Sequence, residues 1–154
     1  MAPAWRALVS WLLLAAGATA SAAGDAPLRH VAKGATSEAT PGNSFLVIRN
    51  TDDLAAALNQ TANRAAPKGP GDVLEAVDFD KEIVVAVLLS NRPTGCAGVD
   101  ITSIAQDGIV SVVHYRESTP RKGETCHGTP WSPFDFVALA KSNAPFRFTR
   151  DGEP

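Results

Sequence analysis

Cys96 and Cys126, in the loops "NRPTGCAG" and "KGETCHGTPW", are the two cysteines of the 154-residue chain. Residues of this type admit three chemistries: a thiolate nucleophile, a metal site or a disulfide. A nucleophile needs a base, for which His114 and His127 are the candidates, since an adjacent imidazole activates a thiol. A metal site from Cys96, Cys126 and His127 lacks a fourth ligand and any recognised spacing. The amino terminus weighs between them. Arg6, the uncharged run "ALVSWLLLAA" and the small residues "GATASAAG" have the pattern of a secretory signal peptide, which places both thiols where disulfides persist. A bridge is therefore favoured. Closing a loop of thirty positions is worth about 3.5 kcal/mol in the loop-entropy account.

The remaining polar candidates have plainer readings. His114 shares a strand face with Val110 and Val112 and reads as a satisfied, half-buried histidine, and His30 reads as solvated. Asp52 and Asp53 sit where a helix starts, and Asp78 and Asp80 flank Phe79 at a strand entrance, so neither pair reads as an acid/base couple. Asn59-Gln60-Thr61 is a formal glycosylation sequon inside a helical pattern. No phosphate loop, Ser-His-Asp order or HExxH pattern is present. "TPWSPF" is different: two prolines hold Trp131 in an extended segment, either as a plug over the core or as a contact residue. A Cys96–Cys126 bridge would draw Trp131 toward Arg92, Pro93, Thr94 and Gly95.

These residues need a scaffold. Residues 1–22 are read as signal peptide and 23–43, small, polar and aperiodic, as a flexible leader. Residues 44–150 then make one domain, long enough to bury a core. "SFLVIRN" is a short strand leading into the helix of "NTDDLAAALNQTAN", whose Leu54, Ala57, Leu58 and Thr61 repeat at helical spacing. "AAPKGPGD" breaks that helix. "EIVVAVLLS" is apolar on both alternating sets and reads as a central strand covered on both faces. "VDITSI" and "IVSVVHYRE" flank "AQDG" as a hairpin, and "FDFVALA" with "FRFT" reads as a second. The expected fold is α+β, a mainly antiparallel sheet of five to six strands with one N-terminal helix; the pattern alone leaves open whether the sheet curls into a sandwich or barrel.

Formal charge is −2 with the signs interspersed, which excludes a nucleic-acid footprint. The apolar run of the signal is too short to serve comfortably as an anchor, so no membrane attachment is expected after cleavage. No cofactor or metal is expected.

The order "VDFDKEIVVAVLLSNRPTGCAGVDITSI", a hairpin, "KGETC", then "TPWSPFDFVALAKSNAPFRF" resembles the PrcB C-terminal domain-like family. Its members show a DF-x-[KR]-E strand, an RPTGGY-like turn and a PF/PY-x-x-V-x-[VL]-x-K segment. The likeness spans residues 45–148, and Cys96-Ala97 stands in place of the family's Gly-Tyr. It implies a small secreted or periplasmic α+β module without catalytic residues that binds or stabilises a protein partner, such as a protease complex, with Arg92, Pro93, Thr94 and Gly95 carrying the contact. "NRPTG" with the later "TPW" also looks like the NPTTG and RPW loops of chagasin-type cysteine-protease inhibitors, in a degenerate form. That likeness implies loop-based inhibition as the alternative function.

Overall fold

The computed structural model describes residues 28–37, 42–61, 70–126 and 128–152. The expected signal peptide and His127 lie outside them. The elements are β1 (Arg29–Thr36), β2 (Ser44–Ile48), α1 (Thr51–Thr61), α2 (Pro70–Glu75), β3 (Glu82–Leu88), β4 (Gly98–Asp107), β5 (Val110–Ser118), β6 (Ser132–Ala140) and β7 (Phe146–Arg150). They form a four-stranded sheet of order β1-β6-β3-β2 and a three-stranded sheet of order β4-β5-β7. The described strands do not close into a barrel.

The first helix forms as its sequence requires. The Asn50 side chain accepts the Asp53 N–H at 2.8 Å and donates to the Asp53 carboxylate at 2.7 Å, a reciprocal cap on the helix start. Leu54, Ala57, Leu58 and Thr61 are its buried stripe. That stripe and α2's Val73 pack on Val84, Ala86 and Leu88 of β3 and on Phe134 and Phe136 of β6. The alternate residues Val85, Val87, Leu89 and Val137 meet Val99, Ile101, Val113 and Tyr115 of the second sheet. A strand apolar on both sets thus becomes the middle of three layers: helices, four-stranded sheet, three-stranded sheet. The first hairpin forms as expected, with Asp107 opposite Val110 and Gly108 at φ +60° in the tight turn between them.

Four expectations are corrected. Part of the supposed leader is β1, which pairs antiparallel with β6 from Arg29↔Ala138 to Thr36↔Ser132. Its side chains are mostly small, and backbone pairing with a distant strand substitutes for β propensity. The second hairpin does not form: β6 belongs to the four-stranded sheet, whereas β7 crosses to the other sheet and pairs parallel with β5. Phe146 and Phe148 explain the choice, because there they reach the inter-sheet core. The described residues hold seven strands rather than five or six, and the segment after α1, read as a helix breaker, includes the short helix α2.

A charged side chain lies between the sheets. Asp135 of β6 is 0 % exposed, and its Oδ2 accepts the Ile101 N–H of β4 at 2.7 Å. Its Oδ1 lies 2.8 Å from Nδ1 of His30 on β1. Beside it, Lys33 of β1 donates to Asp100 of β4 at 2.5 Å. These contacts tie edge strand β1 to edge strand β4. The opposite rim is closed by Phe45, whose ring lies 5.5 Å from Tyr115 and 5.3 Å from Phe148. Burial raises the Asp135 carboxyl above its ordinary range, against the hydrogen bonds from His30 and Ile101 and the nearby charge of Lys33.

A folded state that takes up this proton more readily than the unfolded chain is favoured, through this group, below the ordinary carboxylate range, and the advantage is lost as pH rises through the raised value. Urea denaturation across pH should therefore show this slope in the wild type and not in Asp135→Asn, which keeps an acceptor for Ile101. Asp135→Ala, which strands the Ile101 N–H and His30, should cost about 1–3 kcal/mol at neutral pH.

Candidate functional site

The β3–β6 ladder pairs Leu88 with Phe134. It continues past the strand ends, with the Leu89 N–H donating to the Pro133 carbonyl at 2.9 Å. Arg92 and Trp131 then exchange two backbone hydrogen bonds, Arg92 N to Trp131 O at 2.7 Å and Trp131 N to Arg92 O at 3.0 Å. The loops expected to converge are thus held together by main chain as well as by sulfur. Cys96 and Cys126 are at bonding distance, with Cα atoms 5.3 Å apart. Between these clamps the RPTG segment turns tightly, closed by the Ala97 N–H on the Thr94 carbonyl at 3.3 Å.

The Arg92 side chain points at its own scaffold. Its Nε donates to Glu117 Oε1, and its Nη2 donates to Oε2 at 3.1 Å. Nη1 donates to the Ser90 carbonyl at 3.0 Å and to the Ser90 hydroxyl at 2.9 Å. Bidentate geometry and a Glu117 side chain only 10 % exposed make this stronger than a surface pair. Arg150 adds a second cation 3.4 Å from Glu117. The hydrogen bond from Arg92, then the charges of Arg92 and Arg150, hold the Glu117 carboxyl below its ordinary range against the opposing effect of burial.

Pro93 is therefore the exposed member of the expected contact set, with Thr94 and Gly95 half-buried behind it. Trp131 is half-buried and belongs to neither apolar cluster. Arg92, Pro93, Thr94, Gly95, Cys96, Cys126 and Trp131 lie at one end of the sandwich, beside the loop 119–130.

The histidines sort differently. His114 is half-buried, with Nδ1 3.4 Å from Asp151 Oδ1. His30, read as solvated, is exposed and also meets the buried Asp135, a contact spanning 105 positions. Two sets of ligand atoms lie within 4.8 Å of one another among the described residues: Cys96, Glu124 and Cys126, and His30, Asp100 and Asp135. In the first the sulfurs are bonded to each other. In the second Lys33 supplies the cation and Ile101 the second-oxygen contact. The sequon is spent structurally: Thr61 is buried and donates its hydroxyl to the Leu58 carbonyl at 2.8 Å. A depression lined by Thr36, Gln60, Leu88 and Pro133 is too shallow to enclose a ligand. No helix of the described residues is long and apolar enough to cross a membrane.

No protein-family model, curated protein or solved structure matches the chain.

Three outcomes follow from this geometry. A Glu117 carboxyl held low in the folded state stabilises above the ordinary glutamate range, and that contribution is lost as pH falls through the lowered value; Glu117→Gln should flatten the acid limb of the stability profile measured by thermal melts. In denaturant, intact protein should alkylate at neither cysteine before reduction and at both after it. The paired change Cys96→Ala/Cys126→Ala should lower stability by about 2–4 kcal/mol.

Proposed function

We propose that this chain is an exported, non-enzymatic module that binds or stabilises a protein partner, accessory to a secreted or envelope protease complex, through the clamped loops around Arg92–Gly95 and Trp131. One observation carries this reading: Trp131 is fixed by two backbone hydrogen bonds to Arg92 yet lies outside both apolar clusters. A tryptophan serving as a plug would be expected among the core side chains. One held rigidly at the surface has already met much of the ordering cost of binding, which is how preorganised loops gain affinity. The disulfide and the Arg92–Glu117 pair add to that rigidity.

The alternative is inhibition. The adjacency of "NRPTG" and "TPW" favours it, since a loop-wedge inhibitor presents neighbouring rigid loops to a cleft. The two readings share a surface and differ in effect. Titrating the protein against papain-like and subtilisin-like proteases should leave their rates unchanged on the primary reading, and stoichiometric inhibition would replace it with the alternative.

Trp131→Ala should weaken capture of the partner by about tenfold or more, as loss of an aromatic anchor does, while the melting temperature moves little because the side chain lies outside the core clusters. Undiminished capture by a folded Trp131→Ala protein would overturn the assignment of this surface.

A further inference from the structure

The loop between β5 and β6 carries a second feature that the binding reading does not use. Residues 121–124 form a tight turn: the Glu124 N–H donates to the Arg121 carbonyl at 3.0 Å, and the Arg121 N–H donates to the Glu124 carboxylate at 2.9 Å. Gly123 takes φ +86°, a conformation that a side chain would strain. Two positions later Cys126 joins Cys96. The turn is thus closed internally and anchored at its base.

Its charges are unbalanced. Arg121 and Lys122 are exposed, and no carboxylate among the described residues pairs with either side chain. Glu124 is turned onto the main chain of Arg121. Nearby, Arg92 and Arg150 share the single carboxylate of Glu117. Arg92, Arg121, Lys122 and Arg150 thus outnumber Glu117 and Glu124 around these loops; on the adjoining strands Lys33 and Arg116 stand beside Asp100, and Asp151 follows Arg150. At the far end, the start of α1, α2 and the entry to β3 carry Asp52, Asp53, Asp72, Glu75, Asp78 and Asp80, more acid than the Lys81 and Lys141 beside them balance. Among the described residues, the loop end is the more basic of the two.

We infer that this basic turn gives the loop surface its charge preference and that the partner presents an acidic protein segment to it. The inference rests on the binding reading above and adds the chemistry of the partner. Two point charges on a turn, beside the exposed Pro93 and Pro130 and the half-buried Trp131, match carboxylate side chains around an apolar contact. A nucleic-acid footprint would instead need a stripe of cations following the phosphates.

A short poly-L-glutamate peptide titrated by fluorescence anisotropy is the test. Wild-type protein should bind it in a salt-sensitive way, and Arg121→Glu/Lys122→Glu should weaken binding about tenfold, the scale expected for two reversed contact charges. The control Lys81→Glu/Lys141→Glu at the far end should bind like wild type, and both variants should melt within a few degrees of it, because all four side chains are exposed. Equal loss in the control, no loss in the turn variant, or tighter binding of a single-stranded oligonucleotide than of poly-glutamate would overturn the inference. Failure of the charge preference is separable from failure of the binding surface: partner capture that depends on Trp131 but is indifferent to Arg121 and Lys122 removes the first and keeps the second.

Discussion

A carboxylate buried between two sheets constrains everything around it. Asp135 satisfies the Ile101 N–H of an edge strand in one sheet and meets His30 of an edge strand in the other, so a single side chain sets the spacing of these two edge strands. An ionised group in such a place is costly unless its hydrogen bonds are complete, and here both oxygens are engaged. That cost is also a source of specificity. Any arrangement that slides β4 along β6 leaves the carboxylate without its N–H, so the sandwich has one favourable alignment where a wholly apolar interface would tolerate several.

The loop surface inherits this alignment. Arg92 and Trp131 are joined where the β3–β6 ladder continues beyond the strands, and Asp135 lies on the same β6 four residues from Trp131. The Arg92–Glu117 pair then fastens the loop to β5 in the second sheet. Position at the surface is therefore determined by the core, and the disulfide reinforces a geometry that main-chain and ionic contacts already define. The two rims of the sandwich use opposite means, ions between β1 and β4 and aromatic rings between β2, β5 and β7.

Local signals were legible and distant ones were not. The Asn50 cap, the Leu54–Leu58 stripe and the doubly apolar Glu82–Leu88 strand depend on neighbours within a turn or a few residues, and periodicity finds them. The Cys96–Cys126 pairing needs only an even count and an oxidising compartment. The strand Arg29–Thr36 has a glycine and alanines and no alternating apolar set; its stability comes from a partner about a hundred residues away, which no window contains. The β5–β7 pairing was hidden by the preference for joining consecutive strands, here overridden by the need to bury Phe146 and Phe148. Nothing in the sequence around Glu117 or Asp135 marks them, because only the folded chain brings Arg92 and His30 to them.

The pairing of the first described strand with the penultimate one bears on the order of assembly. As the chain emerges from its amino end, β1 has no sheet to join until residues 132–140 exist, and the three-stranded sheet stays incomplete until β7 follows. The antiparallel β2–β3 pair and the β4–β5 hairpin can form early, but the interface between the sheets cannot, since Asp135 arrives with β6. Contacts this distant in sequence slow folding and hold the chain open until synthesis is nearly finished. The loop surface needs Cys126, Trp131 and the β6 ladder, so it cannot be complete before those residues exist.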